Sequence, residues 1–231
     1  MSGFILSTAR WPEVEAGPRR LLVVPLGSLE QHGPHLPMDT DTRIACFVAA
    51  RACGGRAGVG LAPPVAIGAS GEHADFPGTL SIGTDALALV LVELGRHASL
   101  HWPAMLLVNG HGGNGPAIAD AVARLRAEGR ECHVWHAGLG SGAGDAHAGR
   151  TETSLMLALA PSEVLLDRAV AGDTRPVAEL IPELRAHGVR KVSPNGVLGD
   201  PAGASAAEGT RLLDLLVANL SETLDSLLAD A

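Results

Sequence analysis

Short apolar runs rich in β-branched residues alternate along this chain of 231 residues with longer segments in which apolar residues recur at helical spacing. The predicted strands are residues 21–26, 59–65, 105–108 and 132–136. The predicted helices are residues 42–53, 84–98, 115–128, 151–160 and 206–228. Parallel strands need crossover connections, which helices on the faces of the sheet provide. The order therefore predicts a single α/β domain over residues 1–231, with a mostly parallel sheet in a three-layer α/β/α arrangement.

The composition is that of a chain with a sizeable core and an acidic balance. Hydrophobic residues make up 46% and charged residues 18%, and the formal net charge is -8. Lys and Arg form no dense run, which argues against nucleic acid or an anionic membrane as the main partner. No apolar run approaches the ~18 residues of a membrane helix, and the N-terminal residues lack a basic region followed by an apolar stretch. We therefore expect a cytoplasmic protein without membrane contact.

The segment after the first predicted strand, residues 26–42, concentrates side chains that can bind metals. Glu30 and His32 are two residues apart, so in extended backbone both leave from the same face. Asp39 and Asp41 follow in the same loop. Carboxylates and an imidazole at this spacing indicate a divalent-ion site. The alternative is a chance cluster on a polar surface loop.

Residues 108–114 form a second cluster where another predicted strand ends. His111 stands between glycines, with Asn109 before it and Asn114 at the predicted start of a helix. Glycines let the backbone approach a ligand, and a helix N-terminus can stabilise an oxyanion. We expect His111 to join the first cluster as a metal ligand if the two strands are neighbours, and Asn109 or Asn114 to hold the oxyanion. Taken alone, His111 would fit a turn equally well.

Residues 145–154 hold a third cluster. His147 is expected to act as a general acid/base, because an imidazole titrates near neutral pH. Glu152 falls in the first turn of a predicted helix, where its charge would suit the helix dipole without any ligand role. The glycine-rich passage 138–144 is expected to be an active-site loop.

A fourth polar segment, residues 68–81, combines turn-forming residues with Glu72 and His73. We expect this segment to form a rim or substrate loop, in which Glu72 and His73 contact the substrate. The alternative is a solvated turn that precedes the next helix.

Four motifs in these segments resemble those of the creatininase family of metal-dependent amidohydrolases: SLEQHGPHLPMDTD, GEHADFPGTLS, NGHGGN and HAGRTETS. The resemblance implies a creatininase-like fold with two divalent metal ions, for which Zn, Fe(II) and Mn are the candidates. It implies that Glu30 and His111 bind one ion. His32 would bind the other, and Asp41 would bridge the two. It also implies that His147 is the acid/base residue when a metal-activated water attacks the amide.

One position departs from the pattern of the family. Creatininase has a glutamate two residues after the NGH histidine, where it serves the second ion, and this chain has Gly113 there. The departure argues against creatinine hydrolysis and leaves a coordination place open. We assign Glu152 to that place as a hypothesis, because its position early in a helix and near His147 suits a ligand.

The form NGHGGN, the stretch GDAHAGRTETS and the segment 176–209 are similar to a branch of this family that acts in mycofactocin maturation. The similarity implies a metal-dependent peptidase that removes the C-terminal Val-Tyr dipeptide from the modified mycofactocin precursor peptide. It also implies a homo-oligomer, by family resemblance a hexamer. Two alternatives stay open. One is a hydrolase of creatinine or of another small cyclic amide or formamide, and the other is a metal-binding scaffold without turnover.

Overall fold

The computed structural model describes residues 3–138 and 145–229. A sheet lies at its centre, formed by β1 (Phe4–Ile5), β2 (Leu21–Leu26), β3 (Val59–Leu61), β4 (Ala104–Asn109) and β5 (Glu131–His136). The strand order is β1-β3-β2-β4-β5, and these strands pair in parallel throughout. The predicted parallel sheet is confirmed.

Helices cover both faces of the sheet, as the α/β/α prediction requires. They are α1 (Trp11–Ala16), α2 (Thr40–Cys53), α3 (Thr84–Ala98), α4 (Gly115–Ala127), α5 (Arg150–Leu159), α6 (Val177–His187), α7 (Val189–Val192) and α8 (Ala206–Ala229). Helices α3 and α4 pack on one face, and α2, α5 and α8 pack on the other. Within the described ranges no helix has the length and apolarity needed to cross a bilayer.

Strand β2 is the centre of the core, and all six of its residues are buried. Because successive side chains of a strand point to opposite faces, Leu21 and Val23 pack toward α2 and α8, whereas Leu22 and Val24 pack toward α3 and α4. This explains why the run is apolar throughout instead of alternating with polar residues.

Helix α8 carries a stripe of leucines along one face. Leu213, Leu216, Leu220 and Leu224 are all buried against the sheet layer, and burying a leucine side chain contributes roughly 2 kcal/mol. The helix is also tied to the edge strand β5, since the indole Nε1 of Trp135 donates to Asn219 Oδ1 at 2.7 Å.

The second predicted strand, residues 59–65, is β3 in the structure, and it ends earlier, at Leu61. Pro63 and Pro64 have no N–H group to donate to a neighbouring strand, so they end the ladder. Val65 then returns to the sheet, and its N–H donates to the carbonyl of Pro25 at 2.9 Å.

Most other boundaries differ from the predicted ones by one or two residues, and some elements have no counterpart in the sequence prediction. Helix α2 begins at Thr40 instead of 42, which brings Asp41 into its first turn. The unpredicted elements are the helices α1, α6 and α7 and the short edge strand β1. The predicted active-site loop at 138–144 lies, from residue 139 onward, outside the described residues. The extent of the single domain stays a prediction.

The sheet places the polar clusters at one edge. Strands β2 and β4 are direct neighbours, with Leu26 in register with Asn109, and the N–H of Gly110 donates to the carbonyl of Leu26 at 2.9 Å. The loops that leave the carboxyl ends of β2 and β4 therefore start side by side.

Candidate metal centre

The loop after β2 brings Glu30, His32 and Asp41 into contact, and all three side chains are buried. The His32 ring donates through Nδ1 to the backbone carbonyl of Glu30 at 3.0 Å, which leaves Nε2 facing Asp41 Oδ1 at 3.2 Å. Ser28 holds the other oxygen of the same carboxylate, since its Oγ donates to Asp41 Oδ2 at 2.7 Å. The loop thus returns the chain so that the carboxylate of Asp41 meets the imidazole of His32.

His111 reaches the same cluster from the end of β4. Its Nδ1 lies 3.1 Å from Asp41 Oδ2, and its Nε2 lies 3.2 Å from Glu30 Oε2. The Nε2–H group is also 3.1 Å from the backbone carbonyl of Ala69, which can accept it. The convergence expected for His111 with Glu30 and His32 is therefore present.

Gln31, which the sequence did not single out, fixes the protonation of two histidines. Its side-chain amide donates to His73 Nδ1 at 2.9 Å and to the carbonyl of Gly196 at 3.0 Å. His73 then carries its proton on Nε2, which lies 3.3 Å from Glu30 Oε1. The backbone carbonyl of Gln31 accepts from His147 Nε2 at 2.7 Å, so the lone pair of His147 is on Nδ1.

Glu152 joins the cluster from the first turn of α5 and is half-buried. Its Oε2 accepts the N–H of Ala148 at 2.5 Å. Burial raises the pKa of this carboxyl to about 7, against the opposing charge of His32. The place that we assigned to Glu152 from sequence is therefore within reach of His32 and Asp41.

Three groups of side chains offer ligand atoms that lie within 4.8 Å of one another: Glu30 with Asp41 and His111, His32 with Asp41 and Glu152, and Glu30 with His32 and His147. The first two groups share Asp41. Imidazole nitrogen and carboxylate oxygen are suitable ligands for Zn, Mn and Fe(II).

The condition of Glu30 indicates that a cation fits here. Both of its carboxylate oxygens are buried, and neither has a hydrogen-bond partner in the described part of the chain. The rings of His73 and His111 lie 3.3 and 3.2 Å from these oxygens. A buried carboxylate that accepts no hydrogen bond is costly, and a bound divalent cation would satisfy both oxygens. The residues present therefore fit a divalent metal ion.

Without a metal, the carboxylates and the rings stabilise each other's charges. Burial alone would raise the pKa of Glu30, but the charge of His111 beside it lowers that pKa to about 2. Burial alone would lower the pKa of His32, but the charge of Asp41 raises it to about 10. The pKa of His111 is likewise raised well above its ordinary value, by Glu30 and Asp41 against the effect of burial. Metal binding must therefore displace protons from these rings.

A cavity of about 710 Å³ opens above the cluster. Segment 68–81 contributes Glu72 and His73 to its lining, and α6 forms another part of the wall. Glu72 lies 3.6 Å from His111 Nε2, and burial raises the pKa of its carboxyl. Segment 68–81 thus lies beside the cavity, and a contact of Glu72 and His73 with the substrate stays a prediction.

Asn109 and Asn114 do not line the cavity, in contrast to the oxyanion role expected for them. Asn109 Nδ2 donates to the carbonyl of His111 at 2.6 Å. Asn114 Nδ2 donates to the carbonyl of Gly27 at 3.0 Å, and its Oδ1 accepts the N–H of Ala69 at 2.9 Å. The side-chain amides of Asn109 and Asn114 therefore bind the backbone of the loops that carry the candidate ligands. Asn114 does not cap α4 through its side chain.

Asp39 also lies apart from the cluster. Its carboxylate is 2.7 Å from Arg43 Nε, in a partly exposed ion pair one turn along α2. Of the two aspartates in the first motif, only Asp41 points inward.

Gly113 has no room for a side chain. A Cβ at this position would collide with Glu72 Oε1 and His111 Nε2, and would lie 2.6 Å from the carbonyl oxygen of Ala69. In this chain the carboxylate that lies near His32 and Asp41 belongs to Glu152, on α5, because residue 113 has no side chain to supply one.

Comparisons with known proteins agree with the fold. The creatininase family model, described as creatinine amidohydrolase, matches residues 7–224. The mycofactocin precursor peptide peptidase of Mycobacterium ulcerans is 52% identical over 90% of this chain and 82% of that protein. The peptidase of the same name from Mycolicibacterium smegmatis is 54% identical, over 85% of this chain and 81% of that one. The creatinine amidohydrolase of Pseudomonas putida is 30% identical over 93% of both chains.

Solved structures give the same assignment. A tryptophan-to-alanine mutant of creatininase superposes with a TM-score of 0.81 at 27% identity, covering 97% of this chain and 98% of that chain. A structure described as Creatininase Mn superposes with a TM-score of 0.74 at 26% identity, covering 97% and 98%. The chain belongs to the creatininase family.

Proposed function

We propose that this protein is a metal-dependent peptidase that removes the C-terminal Val-Tyr dipeptide from the modified mycofactocin precursor peptide. The observation that carries this proposal is the identity of 52% and 54%, over most of both chains, with proteins named mycofactocin precursor peptide peptidase. Identity to the creatinine amidohydrolase is 30%. The absence of a glutamate at Gly113 also separates this chain from the creatininase pattern.

Two divalent ions, of Zn, Fe(II) or Mn, would be held by the two ligand groups that share Asp41. Glu30 and His111 complete one group, and His32 and Glu152 complete the other. When bound, such ions polarise an amide carbonyl and lower the pKa of water toward neutrality. The shared carboxylate of Asp41 is fixed by Ser28, which keeps both of its oxygens directed at the two rings.

His147 is the group that moves the proton. Its Nε2–H is held by the carbonyl of Gln31, so Nδ1 is free to accept a proton from the attacking water and to return it to the leaving amine. Burial lowers the pKa of His147 well below its ordinary value, with further lowering by His32 and His73. The ring is therefore neutral, and able to act as a base, at neutral pH.

Glu72 and His73 have different roles in this proposal. Glu72 lines the cavity and would contact the substrate. The protonated nitrogen of His73 lies 3.3 Å from Glu30 Oε1, on the other oxygen from the one that faces His111. His73 therefore acts mainly through Glu30, although it also lines the cavity.

The test is to incubate purified, metal-loaded protein with the modified precursor peptide and to measure released Val-Tyr by mass spectrometry. We expect stoichiometric dipeptide from the wild type, and none from a Glu30→Gln variant treated in the same way. An intact precursor, combined with ring opening of creatinine in a parallel assay, would reject the peptidase in favour of a small-amide hydrolase. Unreacted substrates in both assays, with metal retained, would favour the scaffold.

We further propose that the protein acts in the cytoplasm as a homo-oligomer, by the family resemblance a hexamer. Light scattering of the purified protein measures the mass directly. A mass equal to the 23.6 kDa of one chain would reject the oligomer.

A further inference from the structure

Helix α6 turns an apolar strip toward the cavity. Val177, Ile181 and Leu184 line it, at the spacing that places residues on one face of a helix. The first two are 50% and 38% exposed, so this strip is accessible to a ligand in the cavity. It offers a surface for the apolar or aromatic side chains of a bound peptide.

Arg185 follows on the same face and is the one Lys or Arg among the described residues that line the cavity. The other titratable lining groups are the carboxyls of Glu30, Asp41, Glu72 and Glu152 and the rings of His73, His111 and His147. Within the described ranges Arg185 makes no hydrogen bond or ion pair. Glu183, two residues before Arg185, forms an ion pair with Arg175, whose Nη1 lies 2.8 Å from Glu183 Oε1.

The element that carries Arg185 is anchored. Leu180, on the inner face of α6, is fully buried with Val189 and Leu198. After α6, Arg190 lies 5.2 Å from the centre of the Phe76 ring and donates through Nη1 to the carbonyl of Asp75 at 2.6 Å. Helices α6 and α7 are therefore fastened to the segment that supplies Glu72 and His73.

We propose that Arg185 binds the C-terminal α-carboxylate of the peptide substrate, and that Val177 and Ile181 contact the side chains of its last two residues. This inference rests on the proposed peptidase function. A guanidinium offers two parallel N–H donors that match a carboxylate. A carboxylate bound at Arg185 would set the position of the peptide's end, and two extended residues, which span about 7 Å, would separate it from the amide bond that is cleaved. The same contact offsets the repulsion between the substrate carboxylate and the acidic lining.

The experiment compares wild type and Arg185→Gln on two precursor peptides, one with a free C-terminal carboxylate and one with a C-terminal amide. We expect Arg185→Gln to lower kcat/KM for the free acid by roughly 10–100-fold. Amidation should lower kcat/KM of the wild type by a similar factor, and Arg185→Gln should have no further effect on the amidated peptide. Arg185→Lys should retain part of the activity, because it keeps the charge and loses the planar fork.

Arg51→Gln is the matched control, since Arg51 is exposed in the last turn of α2 and does not line the cavity. It should cleave both peptides as the wild type does. Equal cleavage of the free acid by wild type and Arg185→Gln, with both proteins folded by circular dichroism, would overturn the assignment.

A binding measurement separates this inference from the proposed function. Calorimetry with the Val-Tyr dipeptide and with its amide requires no turnover. The wild type should bind the free acid roughly 10–100-fold more tightly than the amide, and Arg185→Gln should bind the two equally. If no precursor is cleaved but this preference is found, the peptidase function fails while the carboxylate site stands. Equal affinities in the wild type reject the site.

Discussion

The carboxylate of Asp41 lies 3.2 Å from the ring of His32, measured from Oδ1 to Nε2, and both side chains are buried. In the metal-free protein this pair raises the pKa of His32 to about 10, against about 6.5 in an unfolded chain. The folded chain thus binds the proton more tightly than the unfolded chain. The stabilisation by this pair is complete below pH 6.5 and is lost as the pH rises through 10.

The first prediction concerns the stability of Asp41→Asn, measured in the presence of a chelator so that no metal is bound. The substitution should lower the free energy of unfolding by on the order of 3 kcal/mol at pH 6.5, and this loss should shrink toward pH 10. Urea unfolding across that range measures it. Asp39→Asn is the control, because its partly exposed ion pair with Arg43 is worth at most about 1 kcal/mol and Arg43 keeps its charge over the range. A pH-independent loss for Asp41→Asn would contradict the prediction.

The second prediction concerns Gly113. Adding a methyl group in Gly113→Ala should displace the His111 ring, because the carbonyl of Ala69 leaves no other space. We expect a loss of bound metal and a decrease of about 1–3 kcal/mol in the free energy of unfolding. Metal analysis and denaturant unfolding measure the two effects.

Its neighbour supplies the control. Nothing lies within 4 Å of a Cβ built at Gly112, so Gly112→Ala should keep the metal and the stability of the wild type. Equal behaviour of the two variants would show that residue 113 does not constrain the metal cluster.

Much of the fold and of the metal cluster was predictable because it depends on local patterns. The apolar run 21–26 indicates a strand buried on both faces, and the two-residue spacing of Glu30 and His32 places both on one side of the loop. Their meeting with His111 required one further assumption, that β2 and β4 are neighbours, and the sheet order confirms it.

What could not be predicted depends on contacts between distant segments. From sequence alone, an asparagine near a cluster could either stabilise an oxyanion or bind the backbone of a neighbouring loop. In the structure Asn114 binds the backbone of Gly27 and Ala69. Gln31 has no sequence signature, because its effect arises only when His73 and His147 approach it from residues far along the chain. Helix α6 contains Pro182, which obscured its helical pattern.

The third prediction tests Glu152 as a ligand. If it completes the second ligand group, Glu152→Gln should lower the metal content of fully loaded protein from about two ions per chain to about one, since Glu30, Asp41 and His111 remain. Plasma mass spectrometry after exhaustive dialysis gives the count. Glu163→Gln, which removes an exposed carboxylate paired with Arg43, is the control and should not change it. An unchanged count in Glu152→Gln would remove Glu152 from the ligand set.

The last prediction separates proton transfer from metal binding at His147. Because Nδ1 carries the lone pair and the ring belongs to the group with Glu30 and His32, it could serve either role. With His147 as acid/base, His147→Gln should reduce kcat by roughly 10²–10⁴-fold while the metal content stays that of the wild type. Metal content and kcat are measured on the same preparation. A loss of metal that parallels the loss of kcat would reassign His147 as a ligand, and an unchanged kcat would reject both roles. His133→Gln is the control, since His133 lies on β5 beside Glu131, away from the cavity, and should leave kcat and metal content unchanged.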